Sequence, residues 1–146
     1  MEKEFVDYQT ALALKELGFD EKCFGKYYYV KEHEIYDPRK GEDFTFGDNN
    51  RIILRDNPCS YGYDENEITL CVAPTFSQAF RFFRGKYDLH SVINRYPSGA
   101  FSFNIDYFLE DEDKHEEITW GNKSYSYEEA ELECIKKLIE ICQTKK

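Results

Sequence analysis

The chain lacks any long apolar run, although 41% of its 146 residues are apolar. Its apolar stretches cover only a few residues each, whereas a helix that spans a bilayer needs about 20. The opening letters MEKEFVDYQ contain no apolar core of the kind that export signals have, and they carry acidic residues. We therefore expect a cytoplasmic protein without membrane association.

Paired cysteines are also missing. The cysteines are odd in number and widely spaced, and neither a Cys-x-x-Cys pair nor a Cys/His cluster with zinc spacing occurs. Because an unpaired cysteine packs as a small apolar residue, we expect buried thiols, with no metal and no cofactor. These residues are Cys23, Cys59, Cys71, Cys134 and Cys142.

Positive charge is scarce, since 19 Lys and Arg residues stand against 29 Asp and Glu residues and give a net charge of −10. This deficit argues against general nucleic-acid binding, in which neutralised phosphates supply most of the affinity. The imbalance is uneven: residues 1–74 and 101–146 carry net charges of −7 and −6, whereas residues 75–100 carry +3. A small anionic ligand at the basic stretch is compatible with this distribution, because nearby groups set the potential of a cleft.

Motifs for hydrolytic catalysis are absent as well. No Gly-x-Ser-x-Gly, P-loop or His-Glu-x-x-His occurs, and no histidine has a nucleophile motif beside it. The letters DLHS place His90 next to Ser91, but neighbours in a strand point to opposite faces. A small hydrolase centred on His90 is therefore the weakest hypothesis, and we expect a noncatalytic protein.

Three helices are predicted from capping signals and apolar periodicity. The first ends at Gly18, the residue type that most easily takes the left-handed conformation. The other two open on the Ser/Thr-x-x-Glu/Gln spacing of a capping box, formed by Thr75 with Gln78 and by Ser126 with Glu129. The predicted ranges are Tyr8–Leu17 after the N-cap Asp7, Thr75 to about Lys86, and Ser126 to about Gln143.

The remaining segments read as strands and turns. Residues 23–56 contain a predicted hairpin, KYYYV and EIYD around KEHE, followed by the strand RIIL. EITLCVA, HSVINRY, AFSFNIDYFL and a short ITW follow as strands, with EDEDKHEE as an acidic loop and GNKS as a turn. Because hairpins dominate, we expect a single α+β domain over residues 1–146. Its core is a mainly antiparallel sheet of five to six strands with the helices largely on one face.

The second helix carries the basic stretch PTFSQAFRFFRGKY, residues 74–87. Its periodicity places five apolar side chains on one buried face. It places Arg81 and Arg84 on one flank with Ser77, and Phe82 at roughly 240° from Phe76, away from that face. The predicted buried side chains are Phe76, Ala79, Phe80, Phe83 and Tyr87.

Two interpretations of this flank are open. In the first, the arginine side chains lie over neighbouring aromatic rings and pair with surface acids. In the second, they hold a small anion beside the start of the helix, where unpaired N–H groups and the helix dipole favour negative charge, and an aromatic ring stacks on a base. The candidate ligand-binding residues are Arg81, Arg84, Ser77, Thr75, Phe82 and Arg95.

Three segments, ALALKELGFDEKCFG, APTFSQAFRFFRGKY and YEEAELECIKKLIEI, are together familiar. They resemble a family of short proteins of gut bacteria, their tailed phages and other mobile elements, a family without an assigned activity. The likeness covers most of the chain except residues 28–66 and the acidic loop near Asp111. It implies a setting in which small proteins often act as accessory or counter-defence factors.

The leading hypothesis is a noncatalytic intracellular binding protein of phage or mobile-element type that sequesters a small anionic, nucleotide-like ligand. The alternative is an acidic inhibitor of a host protein, or a DNA mimic, that acts through residues 110–117 and the start of the last helix. The position of Phe82 off the buried face hints at a homodimer. The partner-binding residues of the alternative are Asp111, Glu112, Asp113, Glu116 and Glu117.

Overall fold

The computed structural model describes residues 4–30, 51–55, 67–109, 114–124 and 126–144. The helices within these ranges are α1 (Tyr8–Glu16), α2 (Phe76–Tyr87) and α3 (Tyr127–Thr144). The strands are β1 (Gly25–Val30), β2 (Arg51–Arg55), β3 (Glu67–Ala73), β4 (His90–Arg95), β5 (Phe101–Leu109) and β6 (Lys114–Ser124). The α+β class is thus confirmed, while the predicted strand EIYD lies outside the described residues. No helix of the described ranges is both long and apolar enough to cross a membrane.

The described strands form two antiparallel sheets of three strands each, in the orders β2-β1-β3 and β4-β5-β6. Within this part of the chain, the predicted single sheet of five to six strands is wrong. The break falls at α2, which joins the last strand of one sheet to the first strand of the other. Both sheets contribute to one cluster of buried side chains, in which Tyr27 and Cys71 come from the first sheet and Phe103 and Ile105 from the second.

β6 is longer than the sequence predicted, because parts of the expected acidic loop and of the expected turn belong to it. β6 pairs with β5 from Leu109, opposite Lys114, to Phe101, opposite Ser124, with one irregularity of register near the latter end. A long strand such as β5 needs hydrogen-bond partners for the backbone groups along its edge. Because the polar segment beside β5 supplies these partners, that segment forms a strand and not a loop. Glu117 accordingly lies in β6 rather than in a loop.

The ends of α1 follow the predicted capping. The Thr10 N–H donates to Asp7 Oδ1 at 2.8 Å, and the Phe19 N–H donates to the Leu14 carbonyl at 2.9 Å. Gly18 has a φ of +90°, a backbone conformation that would be strained for a residue with a side chain. The chain therefore turns sharply after α1, and this turn brings residues 19–23 alongside α2, as the contacts below show.

The predicted capping box is complete at the start of α2, and one of its two predicted hydrogen bonds is seen at the start of α3. The Gln78 N–H donates to Thr75 Oγ1 at 3.3 Å, and the Thr75 N–H donates back to Gln78 Oε1 at 3.0 Å, which completes the capping box. At α3 the Glu129 N–H donates to Ser126 Oγ at 3.2 Å. One wide face of α3 is buried against the second sheet, α1 and α2, whereas Leu132 is half-buried and Tyr127 is 47% exposed.

A short segment before α1 brings the starts of the first two helices together. The Val6 N–H donates to the Pro74 carbonyl at 3.0 Å, and Phe5 forms an isolated antiparallel bridge with Thr75. The Tyr27 hydroxyl donates to the Val6 carbonyl and ties this segment to β1. Since Pro74 and Thr75 immediately precede α2, the N-termini of α1 and α2 are neighbours.

Candidate functional site

The flank of α2 that carries Arg81 is occupied by the chain itself. Arg81 Nη2 donates to Glu21 Oε2 at 2.8 Å, and Gln78 Nε2 donates to the Lys22 carbonyl at 3.0 Å. Both acceptors belong to residues 17–24, the segment between α1 and β1. These contacts agree with the first interpretation of the flank, in which the arginine pairs with a surface acid.

Lys86 caps the end of α1, a role that no local signal in the sequence indicates. Its Nζ donates to the Leu17 carbonyl at 2.9 Å and lies 5.4 Å from the centre of the Phe82 ring. The Tyr87 hydroxyl donates to the same carbonyl at 2.9 Å. Leu17 is the C-cap of α1, where the helix dipole is negative and a cation is favoured. Lys86 and Tyr87 at the end of α2 thus stabilise the C-terminus of α1.

Phe82 is buried, with 7% of its surface exposed, so the prediction that it lies off the core is wrong. Its ring packs edge-on against Phe19 at 5.3 Å and against Tyr87 at 5.7 Å between ring centres. The physical reason is the sharp turn after α1, which carries Phe19 to this side of α2. A buried ring offers no face to a nucleotide base, and it no longer supports a homodimer.

The other candidate ligand-binding residues are not gathered around Arg81. Arg84 and Arg95 are exposed, and neither forms an ion pair with any residue that the structure describes. Thr75 and Ser77 line a cavity with acidic residues instead of arginines. The six residues therefore do not form one anion site in the described structure.

His90 and Ser91 are separated as the alternation of a strand requires. His90 Nε2 lies 3.0 Å from Asp88 Oδ1, and both of these side chains are exposed. Ser91 instead lies near the buried thiol of Cys134, whose pKa burial raises and the Ser91 hydroxyl lowers. The Ser91 hydroxyl and the His90 imidazole thus face different surroundings, so Ser91 is not placed to act as a nucleophile beside His90.

Three of the cysteines, Cys71, Cys134 and Cys142, are buried as expected, Cys23 is half-buried, and Cys59 lies outside the described residues. Burial raises the pKa of the Cys134 thiol to about 12. Burial, assisted by the charge of Glu21, raises the pKa of the Cys23 thiol to about 11. Both thiols are therefore protonated at neutral pH and are poor nucleophiles. The described residues contain no group of three or more His, Cys, Asp or Glu side chains placed to hold a metal ion.

Two adjoining cavities lie where the helices begin. The larger, of about 640 Å³, has an apolar floor and a polar rim, and the smaller measures about 610 Å³. Phe76 and Glu128 line both cavities, so we treat the two as one surface and call it the acidic groove. The larger cavity is floored by Phe5, Tyr27, Leu54, Phe76 and Leu132. Its rim carries Asp7, Ile52, Ser126, Glu128 and Glu129. The smaller adds Glu4, Thr75, Ser77, Tyr127 and Glu131.

The groove is electrostatically negative. The N-termini of α1, α2 and α3 all border it, and each helix contributes a partial charge of about +0.5. Five carboxyl groups oppose these partial charges. The carboxyl groups lie close enough to interact, because burial and the charge of Glu128 raise the pKa of Glu131. Among the described residues that line the groove, these five carboxyl groups outweigh the three helix dipoles. The groove therefore favours a cation, although Thr75 had been predicted to help hold an anion.

Sequence reasoning named only part of this groove. It singled out Thr75 and Ser77 for an anion, and the start of the last helix for a protein partner, but it gave no reason to join them with Asp7 and Phe5. Of the acidic residues proposed for the partner surface, Glu116 and Glu117 lie in β6. The other three, Asp111, Glu112 and Asp113, lie outside the described residues.

Comparisons of the chain with protein-family models, with curated proteins and with solved structures give no match. The assignment of a function therefore rests on the contacts, the shape and the charge of the groove.

Proposed function

We propose that the protein is a noncatalytic binding protein whose acidic groove takes a basic segment of a partner protein. The observation that carries the proposal is the cavity of about 640 Å³, in which an apolar floor is bordered by carboxylates. Lysine and arginine match such a surface, because each has an apolar stem and a charged head. The start of α3, which the acidic-inhibitor hypothesis named, supplies Glu128 and Glu129 to this rim.

The same observations favour this proposal over sequestration of a nucleotide-like anion. Arg81 already has Glu21 as its partner, and Phe82 is buried. An anion at the start of α2 would meet Glu128 and Glu131. Sequestration through Arg81 and Arg84 stays a prediction, as does the origin in a phage or mobile element. A host protein with a basic surface is the partner class that the groove supports better.

A short fluorescent peptide of alternating lysine and valine tests the proposal. We expect it to bind the wild-type protein, and we expect the same peptide with glutamate in place of lysine not to bind. The double variant Glu128→Gln/Glu129→Gln should bind the lysine peptide about tenfold more weakly, because it loses two charge interactions of roughly 0.7 kcal/mol each. Fluorescence anisotropy at fixed ionic strength measures both affinities.

The matched control is Glu16→Gln/Asp20→Asn, which removes the same charge from exposed positions outside the lining of the groove. An equal loss of affinity in this control would show that only the net charge attracts the peptide, and the proposal would fail. It would also fail if the lysine peptide did not bind at all. If a nucleotide stabilised the wild type against heat but not Arg81→Ala, a small anionic ligand would be supported instead.

A further inference from the structure

The smaller cavity of the groove has an exposed aromatic wall. Tyr127, the first residue of α3, lines this cavity, and 47% of its surface is exposed. Its ring meets the Phe101 ring edge-on, with 5.8 Å between the ring centres and an angle of 88° between the ring planes. Because an edge-on neighbour covers at most one face of a ring, Phe101 fixes the orientation of the Tyr127 ring without covering both of its faces.

Two carboxyl groups stand beside this ring on α3. Glu131 follows Tyr127 by four residues and Glu128 by three, and side chains at these helical spacings are neighbours. Both glutamates line the same cavity as the ring. Burial and then the charge of Glu131 raise the pKa of Tyr127, while burial and then the charge of Glu128 raise the pKa of Glu131. A cation placed among the three groups would oppose both of these charge effects.

A guanidinium group matches this arrangement better than an ammonium group does. A guanidinium is planar, so it can lie flat on an aromatic face while the N–H groups at its edge donate to carboxylates. An ammonium group is a compact and strongly hydrated charge without a flat face. Lysine would therefore gain the attraction of the carboxylates alone, whereas arginine would gain that attraction and the contact with the ring.

We propose that the smaller cavity is an arginine subsite, in which a guanidinium group of the partner stacks on Tyr127 and donates hydrogen bonds to Glu128 and Glu131. This inference rests on the proposed function, since it names the side chain that the groove selects from a basic segment. The two cavities share Phe76 and Glu128, so the residues next to that arginine would lie over the apolar floor of the larger cavity.

Two fluorescent peptides of equal length test the subsite, one of alternating arginine and valine and one of alternating lysine and valine. We expect the wild-type protein to bind the arginine peptide about fivefold more tightly. Tyr127→Leu should reduce this preference to about twofold, because leucine offers an apolar contact but no aromatic face. Tyr127→Phe is the matched control, since it keeps a ring at the same position and should keep the preference. Fluorescence anisotropy at fixed ionic strength measures the affinities.

Proton NMR of the bound arginine peptide adds a measurement that is specific to stacking. When a guanidinium group lies on the face of an aromatic ring, the ring current shifts the signals of the neighbouring CH₂ protons upfield. We expect this shift with the wild type and with Tyr127→Phe, and we expect it to disappear with Tyr127→Leu. An upfield shift that persisted in Tyr127→Leu would place the guanidinium group on another ring and overturn the arginine subsite.

The results separate the two proposals. Equal affinities of the arginine and lysine peptides for the wild type would overturn the subsite and leave the groove as a site for basic segments. An arginine preference that Tyr127→Leu did not change would also overturn the subsite alone. Absence of binding by both peptides would remove the proposed function and the subsite together.

Discussion

The basic helix α2 and the acidic groove are built from similar types of residue but carry charges of opposite sign. Each places charged side chains beside aromatic rings at the end of a helix. Along α2, two of the cations are held by the chain itself, Arg81 by Glu21 and Lys86 by the Leu17 carbonyl. At the groove, five carboxyl groups line the two cavities. The sign of a charged stretch is thus a poor guide to a ligand until the partners that the chain supplies have been found.

The largest effect that separates the two regions is expected from Phe82→Ala. If Phe82 is a core residue that anchors α2 to Phe19, its removal should lower the free energy of unfolding by about 3 kcal/mol. If it were an exposed ring for stacking, the change would be close to zero. Urea denaturation measures the difference. Phe24→Ala is the control, since Phe24 is 79% exposed and should change stability by less than about 0.5 kcal/mol.

Much of the fold was predictable because its signals are local. The N-cap Asp7, the capping box of Thr75 with Gln78 and the left-handed Gly18 each act within a few residues, and all are present as expected. The alternation of apolar and polar residues along β5 similarly indicates a strand, and Phe103 and Ile105 are buried on one of its faces. Such features depend on the chain nearby and not on which elements pack together.

The errors arose where distant segments meet. A helical wheel could not show that Phe19 packs on Phe82, because that contact depends on the turn after α1. The extension of β6 depends on pairing with β5, and the division into two sheets depends on where α2 packs. The groove belongs to the same kind of feature, since it joins residues from Phe5 to Leu132.

A smaller effect is expected from Lys86→Met, which keeps the apolar stem and removes the cation that caps α1. The loss of a charge-assisted hydrogen bond to the Leu17 carbonyl should cost about 1 kcal/mol, since the Tyr87 hydroxyl still donates to that carbonyl. Arg84→Met is the matched control on the same helix and should leave the urea midpoint unchanged. Equal effects of the two substitutions would contradict the capping role of Lys86.

The ion pair between Arg81 and Glu21 is expected to be weaker still, because exposed pairs are screened by solvent and by salt. A double-mutant cycle with Arg81→Ala and Glu21→Ala should give a coupling free energy of roughly 0.2–1 kcal/mol that shrinks as salt is added. A coupling of zero at low salt would mean that the pair does not hold Arg81. The flank would then be available to an anion, and the contrast with the groove would weaken.

The smallest effect concerns the groove and is revealed by pH. Burial and the charge of Glu128 raise the pKa of Glu131 above its ordinary value of 4.5, so between these two values the folded protein binds more protons than the unfolded chain. Stability from this group therefore falls as the pH rises through that window. Glu131→Gln should be slightly more stable than the wild type at neutral pH, by a small amount because solvent screens a group that is only partly buried, and the difference should vanish below pH 4.5. The matched control is Glu16→Gln, which removes a carboxyl group from an exposed position of α1 outside the lining of the groove. Urea denaturation at a series of pH values checks both variants. A Glu131→Gln protein that is less stable than the wild type at neutral pH would indicate that a cation of the chain already neutralises the groove, and that the groove does not need one from a partner.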